Sequence, residues 1–317
     1  NEGVKSNVLG KPMKEPQDVP FEKEGQYLKS DNRSNISYFL EHNVLLRRFT
    51  LSVGALVNYN SALNEGIHFY PGIDASYRIG DNVRLYGSWN RALRMPTFTD
   101  LYYEGKTNKG NQDLKPEESE AFEVGLKYNT YFLRAHIAGF YRKGKNMIDW
   151  VKEKPEDIWE SQNLTKVDNL GFETNLSLLP RELGNERFFI RKIELGYAFI
   201  HQDKDSEGYI SNYALDYLKH KFTAQLSHSI WKGFSATWYV RWQDRAGSYT
   251  KYENLKPAYE EPYAPYCLVD MKVNWEYQRL NLYAELNNLL NSTYYDLGNI
   301  PQPGIWFKAG FRYSFKY

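Results

Sequence analysis

The chain closes on IWFKAGFRYSFKY, Ile305 to Tyr317. Successive side chains of an extended chain point to opposite faces. Ile305, Phe307, Ala309, Phe311, Tyr313, Phe315 and Tyr317 then share one face, and Trp306, Lys308, Gly310, Arg312, Ser314 and Lys316 the other. A helical period would mix the two sets, so the stretch reads as a strand with one apolar and one polar side.

The same alternation recurs upstream. Cys267, Val269, Met271, Val273, Trp275 and Tyr277 oppose Leu268, Asp270, Lys272, Asn274 and Glu276, while Phe234, Ala236, Trp238, Val240 and Trp242 oppose Ser235, Thr237, Tyr239, Arg241 and Gln243. Carried through the chain, the pattern gives about thirteen strands. They fall near 34–45, 47–58, 68–79, 82–93, 118–128, 131–142, 163–179, 190–202, 216–230, 233–244, 266–277, 279–289 and 304–316. Most have about ten residues or more. A globular strand averages about five or six, whereas a tilted strand that crosses a bilayer needs about 9–11. Connections alternate as well. Leu46-Arg47, Gly80-Asp81, Asn129-Thr130, Trp231-Lys232 and Gln278 are short, while 59–67, 94–117, 143–162, 203–215, 245–265 and 290–303 are long. The connection 180–189 is longer than its short class predicts.

Short turns at one end and long loops at the other mark an antiparallel transmembrane β-barrel. In hydrocarbon every backbone N–H and C=O must be paired within the protein, so a membrane sheet has to close on itself. The competing all-β reading is a soluble antiparallel sandwich, which also alternates. It predicts shorter strands and fewer aromatic residues at strand ends. Here Tyr59, Trp89, Tyr128, Trp231, Trp242, Trp275, Tyr277, Trp306 and Tyr317 sit near strand ends, as interfacial girdles require.

Composition narrows the function. No stretch approaches the roughly 18 apolar residues of a membrane helix, and mean hydropathy is −0.67. Forty basic residues balance 39 acidic ones, so charge gives no case for a nucleic-acid partner. The one cysteine, Cys267, excludes an internal disulfide and a cysteine-based metal cluster; no metal site and no cofactor are expected. Neither an initiating Met nor a signal peptide precedes Asn1, which reads as a mature or internal piece of a longer chain.

A terminal strand that ends in an aromatic residue is expected at the periplasmic face. Counting back from Tyr317 places the short turns there and the long loops outside. Residues 1–33, rich in Gly, Pro, Lys, Glu, Asp and Asn, then form an extracellular loop remnant, and 34–317 the barrel segment. An odd antiparallel count does not close as a single-chain barrel, so further strands are expected from another segment or a companion chain.

The stretch Tyr70–Tyr128 now carries a resemblance. Arg94, Pro96, Thr97, Phe98, Leu101 and Tyr102 are followed by Gly110, Asn111, Leu114, Lys115, Pro116 and Glu117, then by Glu123 and Gly125. This resembles the TonB-dependent outer-membrane receptors, as do Lys219–Phe222 and the run from Asn287 to Tyr295. The resemblance covers nearly the whole chain. It implies a barrel of about twenty-two strands around an N-terminal plug, with the plug and about nine strands absent from this chain. It also implies location in a Gram-negative outer membrane, among lipid and lipopolysaccharide, and work with a TonB-ExbB-ExbD system. Read from the residues alone, Arg94, Pro96, Gly110, Asn111, Pro116 and Glu117 shape the loop. Pro96 ends a ladder because it lacks an N–H, Gly110-Asn111 permits a tight turn, and Arg94 pairs with a carboxylate or with lipopolysaccharide phosphate.

Receptors of this family take up scarce nutrients. Tyr102, Tyr103, Trp150, Trp159, Tyr249 and Tyr295 are the candidate ligand contacts, because rings stack on a planar cargo and bond its edge; the bland alternative is that they pack loops together. The run Tyr294–Gly304 looks most like cobalamin-type receptors of the Bacteroidetes, which implies vitamin B12 or a related corrinoid as cargo and allows a surface lipoprotein lid. A ferric siderophore or haem is the alternative. Of six histidines only His68 and His201 lie near the external rim, so an axial haem ligand from this segment is not expected. An outer-membrane barrel enzyme or an adhesin is the remaining class. His42, His136, His220 and His228 lie near hydroxyl and acidic residues, yet no spacing singles out a triad, and the chain is read as no enzyme.

Overall fold

The computed structural model describes all residues except 23, 63–65, 155, 185–186, 206–207, 212–216, 254–255 and 316–317, and leaves out the side chains at 164–165, 205, 253, 256–257 and 297. Lys316 and Tyr317, on which the periplasmic assignment was anchored, therefore lie outside the described residues.

Thirteen strands form one continuous antiparallel wall. They are β1 Asn35–Leu45, β2 Phe49–Asn60, β3 Ile67–Arg78, β4 Val83–Arg94, β5 Glu117–Asn129, β6 Leu133–Lys152, β7 Trp159–Leu178, β8 Ile190–Asp205, β9 Leu218–Trp231, β10 Phe234–Arg245, β11 Tyr266–Tyr277, β12 Leu280–Asn287 and β13 Trp306–Tyr313. Each pairs with its neighbours in sequence. Among the described residues β1 and β13 pair on one edge only, so the sheet is open. Long unpaired edges in an apolar sheet are unfavourable in water and more so in lipid.

The register fixes the two faces. Lys308 lies opposite Glu285, and Glu285 opposite Lys272. The ammonium groups of both lysines meet the Glu285 carboxylate, at 2.5 and 2.8 Å. Further along this polar face the Ser227 and Thr237 hydroxyls are 3.1 Å apart, the Tyr86 hydroxyl donates to Glu123 at 2.8 Å, and Ser52 donates to Glu41 at 2.7 Å. The other face is apolar and exposed: Val53, Ile73, Leu85, Val124, Ile137, Leu170, Leu195, Leu226, Leu282 and Phe311. Thus the greasy sides do not meet in a dry interior.

Aromatic side chains gather at both ends of this apolar face. One belt holds Trp89 beside Phe122, Phe172 beside Phe199, and His220 between Phe199 and Trp242. The other holds Phe234 against Trp275, and Trp275 stacked on Tyr277. On β11 the belts are marked by Cys267, which pairs with Trp242, and by Trp275. Those eight steps span about 27 Å along the strand, or about 20 Å along the normal at a tilt near 40°. Trp306 does not join a belt. It falls on the Lys308 face, with the Lys308 ammonium 5.5 Å from its ring.

Segment bounds read from the sequence change as well. The connection 143–162 shrinks to 153–158, because β6 and β7 run for 20 residues each. Residues 1–33 also contain regular structure: a three-stranded sheet of Glu2–Ser6, Lys11–Asp18 and Gln26–Arg33. The short turns stay tight. Lys232 and Gly233 both take positive φ, as does Gln278, the geometry that two-residue hairpins favour.

Candidate functional site

The connection between β4 and β5 is the organising element at the long-loop end. Arg94 and Glu117 are opposite each other where these strands part. Two parallel bonds join them, Nε to Oε2 at 2.5 Å and Nη2 to Oε1 at 2.6 Å. Such bidentate pairs hold planar geometry well. Glu117 is buried and also accepts the Ile148 N–H at 2.8 Å, which ties the connection to β6. Arg94 therefore meets a carboxylate of its own chain.

Beyond Pro96 the chain makes one short helix, α1, Phe98–Tyr102. Thr97 caps it: its hydroxyl accepts the Asp100 N–H at 3.1 Å, and the Asp100 carboxylate accepts the Thr97 N–H at 3.0 Å. Gly110 then runs against the helix backbone. A Cβ there would lie 2.8 Å from the Tyr102 nitrogen and 2.9 Å from the Asp100 oxygen, so close approach is what demands glycine. The Gly110 and Asn111 N–H groups donate to the carbonyls of Tyr103 and Asp100, at 2.6 and 2.8 Å, and the Asn111 side chain accepts the Asp113 N–H at 2.9 Å. Immediately before Pro116, Lys115 exchanges two bonds with Asn163 of β7.

The extended β6–β7 hairpin is gripped from both faces. On one, the Ser161 hydroxyl donates to the Asp100 carbonyl at 2.6 Å, and Tyr103 meets Trp150 edge-on, centroids 6.4 Å apart. On the other, buried Asp149 accepts the Ser211 hydroxyl and faces the Lys204 ammonium at 3.7 Å. The sheet formed by residues 2–33 docks on α1. Arg33 lies over the Phe98 ring and donates to the Pro96 carbonyl at 2.6 Å, and the Tyr102 hydroxyl donates to Asp31. Burial, with the Asp31 carboxylate beside it, pushes the Tyr102 phenol up to about 12.

A second cluster joins the hairpin Ser248–Glu253 and Lys256–Pro262 to the connection before β13. Tyr249 packs against Tyr263 at 5.1 Å and Tyr295 at 5.7 Å. The Arg245 guanidinium lies 5.5 Å from the Tyr263 ring, and the Lys251 ammonium 6.0 Å from that of Tyr295. Asn299 donates to the Thr250 carbonyl at 2.6 Å, and the Gly298 N–H to the Tyr263 hydroxyl at 3.1 Å. Lys251 holds the Glu261 carboxyl below the usual carboxylate range, at a 2.6 Å contact.

The six aromatic residues singled out from the sequence thus fall into two groups. Tyr102, Tyr103, Trp150 and Trp159 surround the β4–β5 connection, and Tyr249 and Tyr295 belong to the second cluster. Trp150 and Trp159 lie in β6 and β7, not in a loop. Trp150 is 8% exposed, while Trp159 is half-buried under the Lys152 ammonium at 4.5 Å. Asp31, Arg33, Arg245, Lys251 and Glu261 were missed; only their neighbours in space mark them. His42 and His201 are exposed, and the other four histidines are engaged in packing: His136 meets the Tyr86 hydroxyl at 2.7 Å, His220 that of Tyr197 at 2.8 Å, and His228 accepts from the Trp238 indole at 3.1 Å. His68 stacks on Tyr70 within β3. Among the described residues no group of three or more His, Cys, Asp or Glu is placed to hold a metal.

Residues 11–289 match the family model described as TonB dependent receptor-like, beta-barrel. The vitamin B12 transporter BtuB of Vibrio vulnificus is 28% identical over 134 residues, 38% of this chain and 21% of that protein. The ferrienterobactin receptor of Escherichia coli is 22% identical over 297 residues, 84% of this chain and 38% of that one. A mutant of the ferric enterobactin receptor PfeA from Pseudomonas aeruginosa superposes with a TM-score of 0.72 at 19% identity, over 99% of this chain and 49% of that one. The chain therefore spans about half the length of this solved receptor, and less of the two curated relatives. These matched proteins are receptors and transporters, and the family is one of the outer membrane. The open thirteen-stranded wall and the match over residues 11–289 lead to one conclusion: the chain belongs to the TonB-dependent receptor-like β-barrel family.

Proposed function

We propose that this chain is the C-terminal part of the wall of a receptor that imports a scarce nutrient actively across the outer membrane, with a corrinoid such as cobalamin as cargo. The observation that carries the reading is the pair of aromatic clusters at the long-loop end, above a face lined by bonded charges. Tyr249 and Tyr295 are both half-buried. A corrin is broad, flat and rimmed by amides, so it suits ring faces flanked by Lys251, Glu261 and Asn299. The stretch shared with the B12 transporter of Vibrio vulnificus supports the same choice.

Binding alone does not move cargo uphill. In this reading a plug and about nine further strands complete the barrel, either upstream in the same receptor or as a companion chain. A TonB-ExbB-ExbD complex, driven by the inner-membrane proton gradient, pulls on that plug. Lys272, Glu285, Lys308 and Arg312 line the polar surface that faces it. Arg94, Pro96, Gly110, Asn111, Pro116 and Glu117 brace the mouth, and Tyr102, Tyr103, Trp150 and Trp159 form its second aromatic wall. Residues 1–33 lie outside the cell, and a surface lipoprotein closes the mouth from above.

A ferric siderophore is the second reading, favoured by the cations Arg245 and Lys251 and by the ferrienterobactin receptor's longer alignment. Calorimetric titration of the complete receptor with cyanocobalamin, a ferric catecholate and haem separates these. Cobalamin binding that weakens at least about tenfold in Tyr249→Ala and Tyr295→Ala is the expected result. Binding of the catecholate or of haem alone overturns the corrinoid assignment, and unchanged affinity in both variants overturns the site.

A further inference from the structure

The ladder between β3 and β4 stops short. Its last pair is Gly72 opposite Asn90, yet β3 goes on pairing with β2 as far as Ile67, and β4 with β5 as far as Arg94. Pro71 stands where the two strands part, and it has no N–H to donate. Among the described residues, 67–71 and 91–94 thus turn strand edges toward each other without a ladder between them. A cleft of about 630 Å³ lies here, with Tyr70, Pro71 and Gly72 on one side and Asn90 to Met95 on the other. Trp89, in the belt at the long-loop end, immediately precedes Asn90, so the cleft belongs to the mouth.

Three buried polar atoms beside it have no hydrogen-bond partner: the Asn58 carbonyl oxygen, His68 Nε2 and the Tyr70 hydroxyl. Asn58 is 4% exposed and Tyr70 6%, and both line the cleft. His68 is directly opposite Asn58 in the ladder and stacks on Tyr70, centroids 6.3 Å apart. A buried polar atom left unpaired is unfavourable, and three together mark a place where a partner's groups belong. The charges point the same way. Each arginine at the cleft already holds a carboxylate: Arg33 holds Glu2, Arg94 holds Glu117, and Arg91 lies between Glu118 and Glu120. Glu41 and Asp74 also line it and meet no cation among the described residues.

We propose that this cleft is a docking site for an extended, basic segment of a partner polypeptide, which enters the mouth from outside and adds to the free edge of β3 as a strand. An open edge is a template for another extended chain, and main-chain bonds give such an added strand its affinity. The segment's amides supply donors for Asn58 and acceptors for Tyr70. Its cationic side chains meet Asp74, which stands on the same face of β3 one side-chain step past Gly72, about 7 Å along the strand, and Glu41 across β2. The inference rests on the reading of the long-loop end as extracellular, and not on the identity of the cargo.

The test uses the complete receptor in phosphatidylcholine nanodiscs, which leave both ends open, and a fluorescent seven-residue peptide that alternates lysine with valine. Anisotropy reads binding. The wild type should bind this peptide at least about tenfold more tightly than its glutamate counterpart, and at least about tenfold more tightly than the lysine peptide methylated on its main-chain nitrogens. Asp74→Lys should remove the preference for lysine. Tyr70→Phe should weaken binding about threefold or more, while the unliganded receptor unfolds no more easily, because the lost hydroxyl leaves no partner behind. Equal binding of the methylated peptide would overturn strand addition, and equal binding of the glutamate peptide would overturn the choice of a basic segment. An unchanged preference in Asp74→Lys, or a Tyr70→Phe receptor that unfolds more easily, would overturn the site. No binding of the lysine peptide would overturn docking from outside, the receptor's own remaining segments then filling the cleft. Binding in discs but not on intact cells would instead strike the extracellular assignment of the long-loop end.

Discussion

Arginine introduced at neighbouring positions of β11 should report the two faces and the depth at once. Met271 is four residues from Trp275 in one belt and four from Cys267 in the other, about 14 Å along the strand either way, so it lies near mid-bilayer. Val273 is two residues from Trp275, about half as deep. Both are on the apolar face, opposite Leu286 and Ala284. Asn274 is one step from Val273 at nearly the same height but on the polar face, between Ser235 and Tyr283. Arginine on the lipid face costs about 2–4 kcal/mol at the midplane and about 0–1 near the interface. Met271→Arg should therefore cost about 2–4 kcal/mol, Val273→Arg about 1–2 by interpolation, and Asn274→Arg no more than about 0.5. The assay is reversible urea unfolding of the complete receptor in lipid vesicles, followed by Trp fluorescence. Three equal costs, or a larger cost at Asn274 than at Met271, would refute the assigned faces.

The brace at the mouth makes its own predictions. Glu117→Ala strips Arg94 of its partner and leaves the Ile148 N–H unmet, so stability should fall by about 1–3 kcal/mol, with faster amide exchange through 95–116. Gly110→Ala forces a methyl against the backbone of α1 and should cost about 1–3 kcal/mol, again read as exchange in that connection. The hairpin 248–262 should be pH-dependent. Glu261 has its carboxyl lowered by Lys251, so its contribution is full above the ordinary carboxylate value near 4.3 and fades as pH falls through the lower folded value. Lys251 is raised by Glu261, so its contribution is full below about 10.4 and fades as pH rises through the higher folded value. Amide exchange at Thr250 and Glu260 should thus be slow between about pH 5 and 10, after correction for intrinsic rates, and speed up beyond either end.

The wall was legible in the sequence because one side of each strand meets an apolar surrounding and the other a polar one. Val269, Met271 and Val273 against Asp270, Lys272 and Asn274 show it directly. The upper parts of β6 and β7 were not legible for the converse reason. Trp150 and Asp149 are both buried, one beneath Tyr103 and the other beneath Lys204 and Ser211, so burial on both faces erases the alternation. Residues 1–33 read as irregular because the Lys11–Asp18 strand is exposed along most of its length. What holds that sheet is distant in sequence: Arg33 on Pro96 and Phe98, and Tyr102 on Asp31. The aromatic candidates were visible one by one. Their division into two clusters depends on loops meeting across the mouth, as Tyr249 meets Tyr295, and no local pattern encodes that contact.

The central claim, that the apolar face of this wall meets lipid and the polar face a watery lumen, is tested most directly by collisional accessibility of spin labels along β11. Labels at residues 268 to 275 of the complete receptor in bilayers should give oxygen accessibility that peaks at Val269, Met271 and Val273. Accessibility to a water-soluble nickel complex should peak instead at Asp270, Lys272 and Asn274. Labels at Val269, Met271 and Val273 that are shielded from oxygen, or a profile without a two-residue period, would contradict the account.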